Sequence, residues 1–225
     1  GRPTGLNSPV RVFSPIMTIS ATHRLENGDR ISRDDFERLC AEQQIRQAEL
    51  IDGVVRMNAA AVRFHQHGKP HALMMVWLGT YAARHPGTEL ADNTSVRLDA
   101  ASEPQPDILM FRTDSQKCRV ADDGFLEGTP DLVVEIAASS VSYDAHEKRR
   151  LYERCGVPEY ILWRTEDRAI DWFVLSNGRY EILVPEEDSD SDQLLRSRNF
   201  PGLILDRPAM VTGNIPTVLS RLHSS

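Results

Sequence analysis

The segment GTPDLVVEIAASS, residues 128–140, decides the fold class of this chain. Its apolar, β-branched run lies between a Gly-Thr-Pro turn and a Ser-Ser pair, which predicts a buried core strand. Glu135 lies inside that run, although burying a carboxylate costs free energy unless a partner compensates for the lost hydration. A partner for Glu135 is therefore expected elsewhere in the chain.

A second acidic residue, Asp107, opens another apolar strand in the segment QPDILMF, residues 105–111. If the two strands are neighbours in one sheet, the carboxylates of Asp107 and Glu135 converge near one edge of it. Two desolvated carboxylates repel each other unless a cation lies between them. Mg²⁺ is commonly held by one or two protein carboxylates together with water and phosphate oxygens, so the pair indicates a divalent metal site.

The rest of the chain predicts helices and further strands around these two segments. Helical spacing and capping residues predict helices over residues 31–44 and 69–87 and from residue 142 to Gly156 and Pro158. Strand patterns predict a hairpin that turns at Asp52-Gly53, a second hairpin around residues 176–178, and strands over residues 94–99, 106–112, 159–165, 169–175 and 179–185. Residues 116–129 are predicted to form a loop, and residues 200–222 a short strand and a terminal helix. This order is typical of an α/β or α+β fold with a mixed central sheet flanked by helices.

Composition and length narrow the class of protein. A chain of 225 residues suits one domain, and no apolar run approaches the roughly 18 residues that a membrane span needs. The net charge of −7 argues against wholesale coating of nucleic acid, because phosphate binding depends on Lys and Arg. The chain has three cysteines, Cys40, Cys118 and Cys155, which are odd in number and far apart. A disulfide framework is therefore not expected, and the protein is expected to work in a reducing cytoplasm.

Five blocks in the correct order resemble the Uma family of restriction endonucleases, a branch of the PD-(D/E)XK nuclease superfamily. The blocks are ELIDG (49–53), PQPDILMF (104–111), PDLVVEIAASS (130–140), DAHEKRRLYERCGVPEYILW (144–163) and AIDWFVLSNGRYEIL (169–183). The resemblance runs from about Glu49 to residues 200–203. It implies a restriction-endonuclease-like core with a C-terminal β-hairpin, and hydrolysis of DNA phosphodiester bonds by two acidic residues and a lysine around Mg²⁺, with Mn²⁺ as a substitute.

The resemblance also implies the site residues. Asp107, after Pro106, matches the PD aspartate and Glu135 matches the (D/E) position, which makes both catalytic residues and metal ligands. Position 137 is Ala where the superfamily motif has Lys, but members of the family take the lysine from the next helix, where Lys148 matches. Glu49 matches an additional acidic position of the family and is expected to complete the metal shell or to orient water.

Each candidate also has a structural interpretation. Asp107 follows a proline at a strand entry and can accept bonds from nearby backbone amides, and Glu135 can pair with a buried Arg. Lys148 can form an ordinary helical ion pair with Asp144, whose own position favours capping. Glu49 can be an edge-strand carboxylate in water.

Two further sets of residues compete for the site. Asp131 also follows a proline, but at 3.3 Å per strand residue it lies roughly 13 Å from Glu135, too far to share one ion. His65, His67 and His71 precede or open a helix without an HExxH partner, so they are expected to be polar surface residues, His71 being the best placed to touch a site. A zinc hydrolase using these histidines is therefore the third functional hypothesis.

Residues 1–16 lack periodicity and precede Met17, so residues 1–28 are expected to be a leader, irregular or partly foreign to the natural protein. Residues 29–225 then form a single restriction-endonuclease-like domain. The leading hypothesis is a Mg²⁺-dependent endonuclease acting on DNA as a homodimer. The alternative, favoured by Ala137 and the acidic charge, is an inactive nuclease fold that serves as a binding or assembly module in host defence or mobile-element biology.

Overall fold

The structure, a computed structural model, describes residues 23–57, 61–138, 143–185 and 193–222, without the side chains of residues 143–145. The predicted leader therefore lies outside the described residues as far as residue 22, and so does the predicted capping by the Asp144 side chain. The helices are α1 (Arg33–Gln43), α2 (Lys69–Arg84), α3 (Tyr143–Arg154), α4 (Arg207–Thr212) and α5 (Ile215–Ser220). The strands are β1 (Ala48–Ile51), β2 (Val54–Met57), β3 (Thr88–Asp92), β4 (Val96–Arg97), β5 (Ile108–Arg112), β6 (Cys118–Val120), β7 (Leu126–Gly128), β8 (Leu132–Ala137), β9 (Glu159–Arg164), β10 (Ala169–Ser176), β11 (Arg179–Ile182), β12 (Leu194–Arg196) and β13 (Ile204–Asp206).

A mixed sheet of six strands forms the centre of the fold, in the order β11-β10-β9-β8-β5-β3. Strands β8 and β9 are parallel and are connected through α3, whereas the other neighbours are antiparallel. Strands β10 and β11 form the predicted C-terminal hairpin. The predicted mixed sheet flanked by helices is therefore confirmed.

The alternation of side chains along β8 assigns the two faces of this sheet. Leu132, Val134 and Ile136 pack in one core cluster with α2, where Trp77 packs edge-on against Trp172 at 5.9 Å between ring centroids. Val133 packs in a second cluster on the opposite face, together with Tyr152 of α3. Because strand side chains alternate with period two, Glu135 shares the face of Val133 and points towards α3.

The hairpin β1–β2 turns at Asp52 and Gly53, as predicted, and both residues have positive φ, at 52° and 73°. Its apolar side packs with α1 in a third cluster, and Ser32 caps that helix by accepting a bond from the Asp35 amide at 3.1 Å. Its polar side lies along α3, where the Arg56 guanidinium binds the Glu147 carboxylate through two bonds of 2.9 and 2.6 Å. This ion pair thus joins the hairpin to α3, the helix that follows β8.

The predictions were wrong in several segments, and the strands β3 and β12 were not predicted at all. Residues 116–129 were predicted to be a loop, but β6 and β7 pair with each other there and β7 pairs with β4. Each strand has three residues, too few for an alternating pattern to be visible in the sequence. The single terminal helix is two short helices, α4 and α5, divided at Gly213, whose φ of 77° ends α4. No helix in the described ranges has the length and apolar character needed to cross a membrane.

Candidate active site

Asp107 and Glu135 lie opposite each other where β5 and β8 run side by side. Ile108 is paired with Val134, so the next position outward sets Asp107 opposite Glu135. Leu109 and Val133 share the second core cluster, which puts both acidic residues on the same face of the sheet. Asp107 Oδ2 accepts a bond of 2.7 Å from the amide of Ile136. The predicted convergence of the two strands is therefore present in the fold.

Lys148 supplies the positive charge between the acidic side chains. Its Nζ lies 3.0 Å from Glu135 Oε1 and 2.8 Å from Glu49 Oε1. Only 11% of the Lys148 side chain and 9% of that of Glu135 are exposed. Lys148 is one of three lysines in the chain, and the helix α3 brings it to the sheet from the direction that Glu135 faces. The partner expected for Glu135 is thus a lysine rather than an arginine.

The hairpin places Glu49 in this group. Glu49 of β1 stands opposite Arg56 of β2, so the two residues bind consecutive positions of α3, Lys148 and Glu147. Glu49 Oε1 also accepts a bond of 2.6 Å from the amide of Gln105, two residues before Asp107. The alternative of a solvated edge-strand carboxylate is wrong, because Glu49 keeps only 18% of its side chain exposed.

Burial and charge shift the pKa values of this cluster in opposite senses. Burial raises the pKa of the Glu135 carboxyl to about 8, and the neighbouring carboxylates of Asp107 and Glu49 add to the shift while Lys148 opposes it. Burial alone would lower the pKa of Lys148, but Glu135 and Glu49 outweigh it and raise that pKa above its ordinary value. The ammonium therefore stays charged, whereas burial, reinforced by the neighbouring negative charges, makes Glu135 a carboxyl that readily takes a proton.

Tyr152 is a site residue that the sequence-based prediction missed. Its hydroxyl donates a bond of 2.6 Å to Glu135 Oε1 and is fully buried. It lies four residues after Lys148, so both side chains project from the same face of α3. That spacing after a family lysine is the signal that could have identified it.

Two of the three histidines also reach the site, contrary to the expectation that all are surface residues. A π-helical turn, Phe64–Gly68, precedes α2 and brings His67 Nε2 to 3.0 Å from Asp107 Oδ1. His71 Nε2 lies 3.1 Å from the backbone oxygen of Asp107 and 2.9 Å from Asp92 Oδ1. His71 was expected to be the best placed of the three to touch a site, but His67 is the one that contacts the carboxylate. His65 is exposed, as expected.

His67 and Asp107 shift each other's pKa in the sense of an ion pair. The hydrogen bond to Asp107 raises the pKa of His67, against the effect of burial. Burial would raise the pKa of Asp107, but the bond from His67 and the charge of Lys148 outweigh it and lower that pKa. Asp107 is therefore held in its ionised form.

Two other buried acids, Asp131 and Glu159, have structural partners. Asp131 Oδ2 accepts a bond of 2.8 Å from the amide of Arg112, which joins the ends of β8 and β5. Glu159 accepts bonds from Trp172 Nε1 at 3.0 Å and from the Ser197 hydroxyl and the amide of Asn199, each at 2.9 Å. Neither carboxylate belongs to the group around Lys148.

The donor set suits a hard divalent cation that keeps most of its own water. In the described ranges, no three His, Cys, Asp or Glu side chains are arranged as a complete metal cage. Mg²⁺ does not require one, because it is commonly bound through one or two carboxylates plus water. Each Asp107 oxygen takes one hydrogen bond from the described residues and has a second lone pair for a metal. Glu135 Oε1 accepts bonds from both Lys148 and Tyr152, so its Oε2, which accepts one bond from Lys148, is the oxygen with a lone pair for a metal. Asp107 and Glu135 thus fit such an ion in the kind of donor they offer.

Comparisons with known proteins identify the family of this chain and a similar fold. The Uma2 family, described as "Putative restriction endonuclease", matches residues 33–207. A crystal structure described as a "putative nuclease belonging to DUF820", from Anabaena variabilis ATCC 29413, is similar with a TM-score of 0.58 and 13% identity over 86% of this chain and 99% of that chain. At that identity the likeness shows the fold alone. No curated protein matches the chain.

Proposed function

Since this chain belongs to the Uma2 family, we propose that it is a Mg²⁺-dependent endonuclease that hydrolyses phosphodiester bonds of DNA. The supporting observation is the buried group in which Asp107 and Glu135 project from adjacent strands and Lys148 lies within 3.0 Å of Glu135. Such a group combines metal-binding oxygens with a fixed positive charge, the two requirements for hydrolysing a charged phosphodiester.

Asp107 and Glu135 would hold the ion, with Mn²⁺ as a substitute. When bound, the ion lowers the pKa of water and stabilises negative charge that develops on the phosphate. Lys148 presents a point charge beside Glu135 and orients either the attacking water or a phosphate oxygen. Glu49 holds the Lys148 ammonium at 2.8 Å and so fixes its direction. His67 holds Asp107 Oδ1 at 3.0 Å and orients that carboxylate.

Lys148 also bears on the alternative of an inactive binding module. That alternative was suggested by Ala137, which occupies the motif position of the lysine on the same strand face as Glu135. Because the Lys148 ammonium reaches Glu135 from α3, it can take the role of a lysine at position 137, and this favours an enzyme. A homodimer, which would suit a duplex with two strands to cut, stays a prediction from the frequency of such dimers, and a reducing cytoplasm stays one from the cysteines.

Cleavage of plasmid DNA and of a labelled single strand in Mg²⁺ or Mn²⁺ tests the proposal, and cleavage of either substrate counts as activity. We expect the wild type to cleave, and Glu135→Gln to lose roughly 100-fold or more of the rate, because it loses a metal-binding charge. Glu181→Gln, an exposed acid on β11, is the matched control and should cleave normally. Equal cleavage by Glu135→Gln would remove the assignment. Folded wild type without cleavage would favour the binding module, and zinc in the purified protein would favour the histidine hydrolase.

A further inference from the structure

An exposed apolar pair lies immediately before the π-helical turn of the site. Val62 and Phe64 are 69% and 66% exposed, and Phe64 contacts the His65 ring edge-on at 5.0 Å between centroids. A large apolar side chain that remains in water beside a catalytic group is typical of a contact surface. Its position makes the substrate the first partner to consider.

The turn holds this pair at a fixed place relative to the carboxylates. The amides of His67 and Gly68 both donate to the Arg63 oxygen, at 3.0 and 3.1 Å, and the Thr165 hydroxyl donates to the Gln66 oxygen at 2.9 Å. Phe64 opens the same π-helical turn that carries His67, whose ring binds the Asp107 carboxylate at 3.0 Å. A nucleic-acid strand bound at these carboxylates therefore passes close to the turn that presents the Phe64 ring.

Charge favours a nucleic acid as the occupant of this surface and limits how it can bind. Arg63 and His65 flank Phe64 and are both exposed, which suits a neighbouring phosphate. The net charge of −7 weakens the overall attraction of the protein to phosphates, so a source of affinity other than charge is favoured. Stacking of a base on an aromatic ring is such a source, and it does not depend on releasing counterions.

We infer that Phe64 stacks on an unpaired base beside the cleavage site, so that the substrate is single-stranded or locally unpaired DNA rather than intact duplex. This inference rests on the proposed nuclease function. In a duplex the base faces are stacked on one another, whereas a single strand offers them to an aromatic side chain. Val62 extends the apolar contact, and Arg63 meets the backbone of the same strand.

Fluorescence anisotropy of wild-type protein in EDTA, where metal-dependent cleavage is blocked, tests the inference. We expect a labelled single strand to bind more tightly than a hairpin duplex of the same sequence. Phe64→Ala should weaken single-strand binding about 5- to 150-fold, the range for loss of one base stack, while Phe64→Trp should retain it. Ile182→Ala is the matched control, because it removes an exposed apolar side chain from β11, which β9 and β10 separate from β8.

Three outcomes would overturn the inference: unchanged single-strand binding by Phe64→Ala, equal binding of the duplex, or dissociation of an oligomer by Phe64→Ala in sedimentation. The last would assign the surface to contacts between copies of the chain. Cleavage in Mg²⁺ separates the two proposals. Glu135-dependent cleavage that does not respond to Phe64→Ala refutes the stacking role alone. Single-strand binding that requires Phe64, without any cleavage, refutes the nuclease function alone.

Discussion

Lys148→Met tests whether one ammonium holds the acidic side chains together. The substitution removes the charge and keeps an unbranched side chain, so Glu49 and Glu135 lose their shared partner at 2.8 and 3.0 Å. Removing one partner of a buried ion pair costs about 3–5 kcal/mol. Since Glu49 keeps 18% of its side chain exposed, we expect the lower end, about 3 kcal/mol.

Urea unfolding in EDTA at pH 8 measures this loss. With a slope near 2 kcal/mol per M, a loss of about 3 kcal/mol lowers the midpoint by roughly 1.5 M. The direction in which the stabilisation by Lys148 changes with pH follows from the raised pKa of this lysine. Its contribution is complete below the unfolded pKa, 10.5, and disappears only as the pH rises through the still higher folded pKa. The wild type therefore has the full contribution at pH 8, whereas the loss in Lys148→Met should shrink towards pH 5 as Glu135, whose pKa burial raises, takes a proton.

Bound Mn²⁺ should restore much of the free energy of unfolding that Lys148→Met loses. Three carboxylates without an ammonium attract a divalent cation, and Mn²⁺ at 100 times its dissociation constant would return about 2.7 kcal/mol. Lys117→Met, at an exposed lysine, is the control and should leave the urea midpoint unchanged. A Lys148→Met protein as stable as the wild type in EDTA at pH 8 would refute the reasoning.

Three further predictions concern Tyr152, Glu135 and Glu159. Tyr152→Phe removes the bond of 2.6 Å to Glu135, so urea unfolding should show a loss of about 1–2 kcal/mol, and an unchanged midpoint would argue against a buried bond. Because the pKa of Glu135 is about 8, Mn²⁺ must displace a proton below that pH. Calorimetry should show affinity rising towards pH 8 and levelling off above it, and affinity independent of pH from 6 to 8 would contradict this. Glu159→Gln weakens a buried hydrogen-bond network on β9, so it should lower the free energy of unfolding by about 2 kcal/mol without changing Mn²⁺ affinity. Loss of Mn²⁺ binding in this variant would show that the metal site includes β9.

Local patterns in the sequence were sufficient for most of the central sheet. The Asp52-Gly53 pair specifies its turn through two residues with positive φ, and the apolar run of β8 specifies a strand covered on both faces. β6 and β7 were missed because three-residue strands are stabilised by their neighbours rather than by their own periodicity.

The candidate site was only partly accessible from the sequence. Glu135 is conspicuous because a carboxylate interrupts an apolar strand, and Asp107 follows from the same reasoning on the next strand. Lys148 came from the family resemblance, since nothing local distinguishes it from a solvated helix residue. His67 was missed because it is 40 residues from Asp107 in the chain, and only the π-helical turn directs its ring towards that carboxylate. Contacts of that range depend on tertiary packing.

The most direct test of the central claim is anomalous scattering from a crystal of the protein soaked in Mn²⁺. We predict one strong peak within roughly 2 Å of an oxygen of Asp107 and of an oxygen of Glu135, with the Lys148 ammonium beside it. No peak between these two carboxylates at saturating Mn²⁺, or a peak held by His71 and Asp92 alone, would contradict the claim that Asp107 and Glu135 share a metal ion.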